Sequence, residues 1–149
     1  MSVLEVKNLT HTYSGNTPFV NDAVSGVSFT ANKGEIIGII GHTGSGKSTL
    51  VQHLNGLLKP TGGEIFIDGE NIWDNPKEIR KVRSKVGLVF QYPEYQLFEE
   101  TVEKEIAYGP TNMQLPQSEI RDRVEYAAEL TGISKEMLKK SFTLHKHFS

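Results

Sequence analysis

A glycine-rich stretch at residues 41–49 has residue types and a spacing suited to holding phosphate groups. It reads Gly-His-Thr-Gly-Ser-Gly-Lys-Ser-Thr and matches the P-loop pattern Gly-x-x-x-x-Gly-Lys-[Ser/Thr]. Glycines allow positive φ angles, so that successive backbone N–H groups can point at anionic oxygens. The lysine supplies a point charge for the β- and γ-phosphates, and the hydroxyl that follows it is a ligand for Mg²⁺. The stretch therefore predicts a phosphate cradle with a magnesium ligand.

The whole stretch is predicted to contact the nucleotide, with Ser48 as the magnesium ligand, Thr49 as support for the first helical turn and His42 as a variable loop position. The predicted contacts are Gly41, His42, Thr43, Gly44, Ser45, Gly46, Lys47, Ser48 and Thr49. The alternative is an ordinary glycine turn between a strand and a helix. A GTPase is not favoured, because no Asn-Lys-x-Asp base-reading motif follows, whereas the loop alone does not exclude small-molecule kinases.

The elements around the loop read as an α/β fold. Residues 36–40 form a near-continuous apolar run, which is typical of a strand buried on both faces in a parallel sheet. Residues 86–90 form a second such run. Alternating patterns over 3–9 and 24–29 predict half-buried strands near the N-terminus. An amphipathic helix is expected after the loop, over residues 47–57.

The remainder is predicted to become helical along the chain. A strand over 64–68 with a hairpin turn at Asp68-Gly69 is followed by a short helix over 76–82. The next helix starts at Thr101 and is expected to end at Gly109-Pro110. Two further helices are predicted, one with Ile120, Val124, Ala127 and Ala128 on one face and one over 134–140.

Composition describes an ordinary globular chain of 149 residues with 37% hydrophobic and 23% charged residues. A net charge of −2 without a basic stripe disfavours nucleic acid as a partner. No apolar run reaches the roughly 18 residues that span a bilayer. The N-terminus reads as a strand rather than a signal peptide, and the absence of cysteine excludes disulfides. The default expectation is a cytoplasmic protein.

Two residues outside the loop are further candidates for chemistry. Tyr13 is predicted to lie in a turn, over 12–18, where its ring could stack on adenine; the alternative is simple packing. Gln91 follows the predicted strand at 86–90, where its amide could bind Mg²⁺ and orient a water molecule; the alternative is a solvated loop amide.

Taken together, these positions resemble the ATP-binding cassette ATPase family over roughly residues 1–140. The stretch at 89–110 further resembles the ATPases of energy-coupling factor importers, which take up vitamins and transition-metal ions such as cobalt and nickel. The resemblance is carried by residues 3–10, Tyr13, residues 26–35, 41–49 and 57–70, and Gln91.

The resemblance implies a P-loop NTPase core, with a parallel core sheet plus N-terminal antiparallel strands, and part of a helical subdomain. Residues 1–100 would form an incomplete nucleotide-binding core, and residues 101–149 a partial helical subdomain with an atypical tail. The implied cofactors are ATP and Mg²⁺. Tyr13 would stack on adenine, and Gln91 would act in catalysis and as a magnesium ligand beside Ser48.

The resemblance also implies partners at the cytoplasmic face of the membrane. These are a second, homologous ATPase subunit arranged head-to-tail, a transmembrane coupling protein and a substrate-binding membrane protein. Residues 92–98 would form the coupling surface; the alternative is an irregular loop that packs its aromatic rings into the core. A soluble ATPase of the same family, from DNA repair or translation, fits the stretch at 89–110 less well.

Three motifs of that family have no counterpart in these 149 residues: the Leu-Ser-Gly-Gly-Gln signature, a strand ending in Asp-Glu and a switch histidine. His145 and His147 lie in a different context and are interpreted as a solvated tail. The C-terminal half of the fold is thus expected to be absent, and the sheet edge left open would favour an aggregated or swapped oligomer. The alternative function is a catalytically silent nucleotide-binding fragment, from a truncated or frame-altered product.

Overall fold

The computed structural model describes residues 2–13 and 21–141, apart from the side chain of Asn21. The chain divides into two compact units, Met1–Leu88 and Val89–Ser149. The structure thus groups residues 89–100 with the helical segment, whereas the sequence-based division after residue 100 stays a prediction. Most of the predicted turn at 12–18 and the tail with His145 and His147 lie outside the described residues.

The first unit is built on an antiparallel sheet of four strands. The strands are β1 (Ser2–Tyr13), β2 (Asn21–Asn32), β3 (Gly62–Ile67) and β4 (Glu70–Asn71), in the order β2-β1-β3-β4. β1 lies between its two longest partners, with Val6 opposite Phe29 on β2 and Ile65 on β3. The antiparallel strands predicted near the N-terminus are confirmed.

One face of this sheet carries the core of the first unit. The alternation of apolar and polar residues places the apolar side chains of β1 and β3 on the same side, where they exclude water. The buried members of this core are Val6, Leu9, Val24, Leu50, Ile65, Ile67 and Ile72. Leu50 belongs to helix α1 (Lys47–Leu54), so the helix that follows the glycine loop is anchored to the sheet.

A second helix, α2 (Ile79–Lys85), begins after a 3₁₀ turn at Pro76–Glu78 and packs close to residue 56. Gly56 has a φ of 70°, and a Cβ there would lie 2.4 Å from Cδ1 of Ile79. The Arg83 guanidinium donates a hydrogen bond of 3.1 Å to the Gly56 carbonyl. The left-handed φ thus favours glycine where the chain leaves α1, and a Cβ there would also require the Ile79 side chain to shift.

The two segments predicted as parallel core strands form no strand within the described residues. Ile36 and Ile40 are 98% exposed, and Val89 is 83% exposed. A parallel strand forms only when neighbouring strands bond to its edges and helices cover its faces. The described sheet is antiparallel and offers neither to residues 36–40 or 86–90, so these two predicted strands are not formed in the part of the chain that the structure describes.

The second unit is helical and has its own small core. Its helices are α3 (Val102–Asn112), α4 (Gln117–Leu130) and α5 (Lys135–Leu138), preceded by a 3₁₀ turn at Pro93–Gln96. Its core consists of Ile120, Val124, Ala128 and Leu138, packed against residues that include Val102 and Ile106. The predicted apolar face of α4 is confirmed, with Ala127 half-buried at its margin.

Helix α3 continues past Gly109-Pro110, where the sequence predicted its end. Proline lacks an N–H group, so it cannot donate to the carbonyl of Ile106 one turn earlier. The chain keeps its helical course because the Thr111 hydroxyl donates to the Ala107 carbonyl at 2.7 Å and the Met113 amide donates to the Gly109 carbonyl. Pro110 lies in the last turn of α3, so only that turn of the helix is affected.

Candidate phosphate-binding site

The loop at residues 41–46 is packed tightly against β2 at one point. Gly46 has a φ of 85° and a ψ of 2° and lies just before α1. A Cβ at this position would lie 1.9 Å from the carbonyl oxygen of Ala23 on β2. No other residue type fits this position without moving the strand, because both the left-handed φ and the contact require glycine. The sheet thus determines where α1 starts.

The start of the loop curls over itself. A Cβ at Gly41 would lie 2.5 Å from Oγ of Ser45, and the Ser45 amide donates to the His42 carbonyl at 3.2 Å. Gly44 also has a positive φ, 81°, but a Cβ there would meet no atom within 4 Å. His42 points its Nδ1 at the Thr43 carbonyl, 2.8 Å away. The loop is therefore close-packed at Gly41 and Gly46 and open at Gly44.

The Lys47 side chain folds back across this loop. Its Nζ donates to the carbonyl oxygens of Gly41 and His42, at 2.7 and 2.8 Å, and to Oγ of Ser45 at 3.3 Å. An ammonium group held over the loop in this way concentrates positive charge there. The sequence between residues 41 and 54 contains no acidic residue that would oppose this charge.

The N-terminus of α1 is open for hydrogen bonding. Its N-cap residue is Gly46, and within the described residues no side chain accepts from the amides of the first turn. Ser48 is exposed on this turn, and Thr49 is half-buried. Unpaired amides and the positive end of the helix dipole attract anions, and an exposed hydroxyl beside them is a suitable magnesium ligand. The residues present fit a nucleoside polyphosphate with Mg²⁺.

Tyr13 lies at the end of β1, beside this helix. Its ring is 51% exposed, and its hydroxyl lies 3.4 Å from Oγ1 of Thr49. An exposed ring that is tied to the first turn of α1 is well placed to stack on a base whose phosphates lie in the loop. The structure therefore brings Tyr13 and residues 41–49 together, although its role in stacking stays a prediction.

Two histidines that were not among the predicted site residues connect the same elements. His53 on α1 is fully buried, and its Nε2 lies 3.1 Å from Nδ1 of His11 on β1. Its Nδ1 donates to the Thr49 carbonyl at 2.6 Å. Burial lowers the pKa of His53; the Thr49 carbonyl opposes this by raising it, and the nearby His11 lowers it further.

The signal for this pair was present in the spacing. His11 precedes Tyr13 by two residues on a strand, so both side chains lie on one side of β1. His53 follows Thr49 by four residues on a helix, so both lie on one face of α1. The pairing across 42 residues is a matter of tertiary structure and has no local signature.

Gln91 belongs to the second unit, where its side chain is exposed and its Nε2 lies 3.5 Å from the Tyr92 hydroxyl. The aromatic residues that follow it are exposed as well, with Tyr95 at 85% and Phe98 at 61%. Phe98 contacts Tyr108 edge-on, with 4.7 Å between ring centroids. The predicted roles of Gln91 in catalysis and magnesium binding, and of residues 92–98 as a coupling surface, stay predictions.

Comparison with known proteins decides the family. Residues 24–149 match the family described as ABC transporter. The chain belongs to that family. Two curated relatives are the energy-coupling factor transporter ATP-binding proteins EcfA2 of Clostridioides difficile, strain 630, and Clostridium perfringens, strain 13 / Type A. They are 55% and 51% identical over 139 and 136 residues, which is 93% and 91% of this chain and 48% of each relative.

Solved structures of the ABC family agree with the fold. One is the structure of cbiO1 from Clostridium perfringens, described as part of the ABC transporter complex cbiONQ. Its sequence is 40% identical to this chain and the TM-score is 0.79; the match covers 94% of this chain and 54% of the cbiO1 chain. Another is a dimeric, post-hydrolysis structure of the ATP-binding cassette MJ0796, bound to ADP and Pi. Its sequence is 27% identical to this chain and the TM-score is 0.77; the match covers 93% of this chain and 61% of the MJ0796 chain. The predicted resemblance to an ABC ATPase is confirmed, and the chain spans about half the length of the curated relatives it matches.

Across residues 2–13 and 21–141, no helix combines the length and apolar character needed to cross a membrane.

Proposed function

We propose that this chain provides the nucleotide-binding part of an energy-coupling factor importer and binds ATP with Mg²⁺ at residues 41–49. Loop geometry carries the proposal: Gly41 and Gly46 occupy positions where a Cβ would meet other atoms, and the loop they shape leads directly into an uncapped helix. A turn that only joined two elements would not need an ammonium group folded over its carbonyls, as that of Lys47 is.

Each residue of the site has a distinct part in this proposal. Lys47 and the amides of residues 41–49 hold the phosphates, the Ser48 hydroxyl binds Mg²⁺, and the Tyr13 ring stacks on adenine. From the family resemblance alone, Gln91 is the proposed second magnesium ligand and water-orienting group. Mg²⁺ would neutralise charge on the phosphates when bound.

The proposal extends to partners, because EcfA2 relatives are named as transporter ATP-binding proteins and cbiO1 as part of a transporter complex. We infer that the whole protein pairs head-to-tail with a second ATPase subunit and binds a transmembrane coupling protein and a substrate-binding membrane protein. ATP hydrolysis would then drive the uptake of a vitamin or a transition-metal ion, with this subunit peripheral at the cytoplasmic face of the membrane.

Substitution of Lys47 tests the phosphate site directly. We expect Lys47→Ala to lower the affinity for a non-hydrolysable ATP analogue by at least about tenfold, because a charge-assisted hydrogen bond contributes about 1.5–3 kcal/mol. Isothermal titration calorimetry measures this. Lys81→Ala is the matched control, because Lys81 pairs with Glu78 on the surface and lies outside the loop. Equal affinity of Lys47→Ala and the unsubstituted chain would contradict phosphate binding at residues 41–49.

Two glycines of the loop form a matched pair for the same assay. Gly46→Ala and Gly44→Ala share the left-handed φ, which costs about 1–2 kcal/mol for a residue with a Cβ. Only at Gly46 would the added methyl meet the Ala23 carbonyl. We therefore expect Gly46→Ala to abolish analogue binding and Gly44→Ala to weaken it. Indistinguishable affinities for the two variants would contradict the close-packed loop described above.

A second candidate function concerns the 149 residues by themselves. The sequence has the cradle but no strand ending in Asp-Glu, and loss of a positioned general base lowers a rate by about 10²–10⁴-fold. The purified chain would then bind ATP without turning it over. Robust, Mg²⁺-dependent phosphate release by this chain favours the first candidate alone, whereas binding without release favours a catalytically silent fragment.

A further inference from the structure

Four residues close a circle of contacts between β1 and the first turns of α1. The Tyr13 hydroxyl lies 3.4 Å from Oγ1 of Thr49, and the Thr49 carbonyl accepts from Nδ1 of His53 at 2.6 Å. Nε2 of His53 lies 3.1 Å from Nδ1 of His11. The His11 ring then contacts the Tyr13 ring at 82°, with 4.6 Å between centroids. Both oxygens of Thr49 are thus used, one on each side of the circle.

The hydrogen bonds fix which nitrogens carry protons. A carbonyl only accepts, so Nδ1 of His53 must carry the hydrogen that it shares with Thr49. In a neutral His53 ring Nε2 is then an acceptor, and Nδ1 of His11 is the donor to it. Burial favours this neutral form, because it lowers the pKa of His53. In the neutral form the bond to Thr49 thus sets the His53 tautomer and orients the His53 ring towards His11.

We propose that His11 and His53 are positioning residues for the Tyr13 ring, which they hold in register with the phosphate loop. This inference rests on the proposed nucleotide site and deepens it, because neither histidine touches the loop at residues 41–46. Among the described residues, loss of the His11 ring would leave the Tyr13 side chain its hydroxyl contact to Thr49, and the ring could then turn about its side-chain bonds. Stacking on a base must then immobilise the Tyr13 ring, and binding bears the conformational entropy cost. With the histidine pair in place, the ring is already immobilised before the base binds.

A pair of ligands separates this role from general damage to the fold. ATP carries the base and the phosphates, and inorganic tripolyphosphate carries phosphates alone. Calorimetry on the 149-residue chain with each ligand, in the presence of Mg²⁺, gives the ratio of the two affinities. That ratio measures what the base adds. Tyr13→Ala is expected to lower it by about 5- to 150-fold, the range for base stacking on an aromatic side chain.

His11→Ala is expected to lower the ATP affinity by about twofold to tenfold, the range for an aromatic edge contact, and to leave tripolyphosphate unchanged. In the background of Tyr13→Ala, the same substitution is expected to have no further effect, because His11 acts through the tyrosine ring. Val6→Ala is the control for stability alone: Val6 is buried on the same strand, and its loss leaves the affinity ratio unchanged.

Two conservative variants apply if His11→Ala does not fold. His11→Asn keeps a donor near the Nδ1 position and loses the ring edge, so we expect the same selective loss of ATP affinity with the fold retained. His53→Asn keeps a donor for the Thr49 carbonyl and loses the bond to His11, and it too is expected to lower the ratio.

The outcomes are distinguishable. Loss of ATP affinity without loss of tripolyphosphate affinity in the histidine variants supports the positioning role. An unchanged ratio in these variants, or effects of His11→Ala and Tyr13→Ala that add, overturns it while leaving the phosphate site intact. Failure of the unsubstituted chain to bind tripolyphosphate contradicts the proposed function, and the positioning role with it.

Discussion

Strand β3 and residues 36–40 are both short runs rich in isoleucine, and they differ completely in their surroundings. In β3, Ile65 is fully buried and Ile67 is 6% exposed, because β1 and β4 bond to its two edges and α1 packs over the shared core. Ile36 and Ile40 are 98% exposed. Isoleucine is thus buried where neighbouring strands bond to the segment. An apolar sequence pattern does not by itself bring those strands beside it.

The largest expected effect is on stability, from one substitution made in both places. Ile65→Ala is expected to lower the free energy of unfolding by about 2–5 kcal/mol, because it leaves a cavity in a packed core. Ile40→Ala is expected to change it by less than about 0.5 kcal/mol, because the side chain is already in solvent. Urea unfolding followed by circular dichroism measures both. Equal losses would show that residues 36–40 are packed in solution and would erase the contrast.

The stability of the first unit should also depend on pH, through the buried His53. Its pKa in the folded state lies below the ordinary value of 6.5, chiefly because of burial, so the unfolded chain takes up a proton at a pH where the folded chain does not. The stability contribution is therefore fully present above pH 6.5 and is lost as the pH falls from 6.5 towards the folded pKa. The expected slope is at most about 1.4 kcal/mol per pH unit.

His53→Gln is expected to remove this slope between pH 6.5 and the folded pKa. The ionisable side chain facing the ring is His11, and Lys59 acts through its backbone. His42 is exposed in the loop and provides a useful comparison: His42→Gln should keep the slope. Equal pH dependence of His53→Gln and the unsubstituted chain would contradict a buried, neutral His53.

The smallest effect on stability, and the clearest on association, is expected at residues 36 and 40. An exposed apolar segment favours self-association. We expect the chain to form oligomers at working concentration and Ile36→Lys with Ile40→Lys to lower their mass, measured by light scattering. Tyr126→Lys with Leu130→Lys adds the same charge to exposed positions of α4 and serves as control. A monodisperse monomer of the unsubstituted chain would contradict this expectation.

The local features of the site were predictable from sequence because they depend on local geometry. The positive φ of Gly44 and Gly46 and the helix that begins at Lys47 follow from residue type and order. The strands near the N-terminus followed from alternation, and their antiparallel arrangement from the family resemblance. The continuation of α3 past Pro110 did not, because a proline in the last turn costs one bond rather than the helix and the Thr111 hydroxyl supports the turn.

Long-range features could not be predicted in the same way. The contact of His11 with His53 joins a strand to a helix 42 residues away, and nothing near either histidine requires it. The fate of residues 36–40 likewise depends on which strands lie beside them. A sequence pattern indicates which kind of neighbour a segment requires. Whether that neighbour is present depends on the tertiary structure of the whole chain.

The position of the Lys47 ammonium has a consequence for selectivity. In this structure the group already has three acceptors, two carbonyl oxygens and the Ser45 hydroxyl. Any ligand that reaches it must exchange these bonds for its own, so affinity is a difference between two sets of contacts. A neutral acceptor gains nothing from such an exchange, because the carbonyls are as good. Only a formally charged oxygen makes stronger bonds than those it displaces, so we expect uncharged mimics of a phosphate to bind this loop poorly.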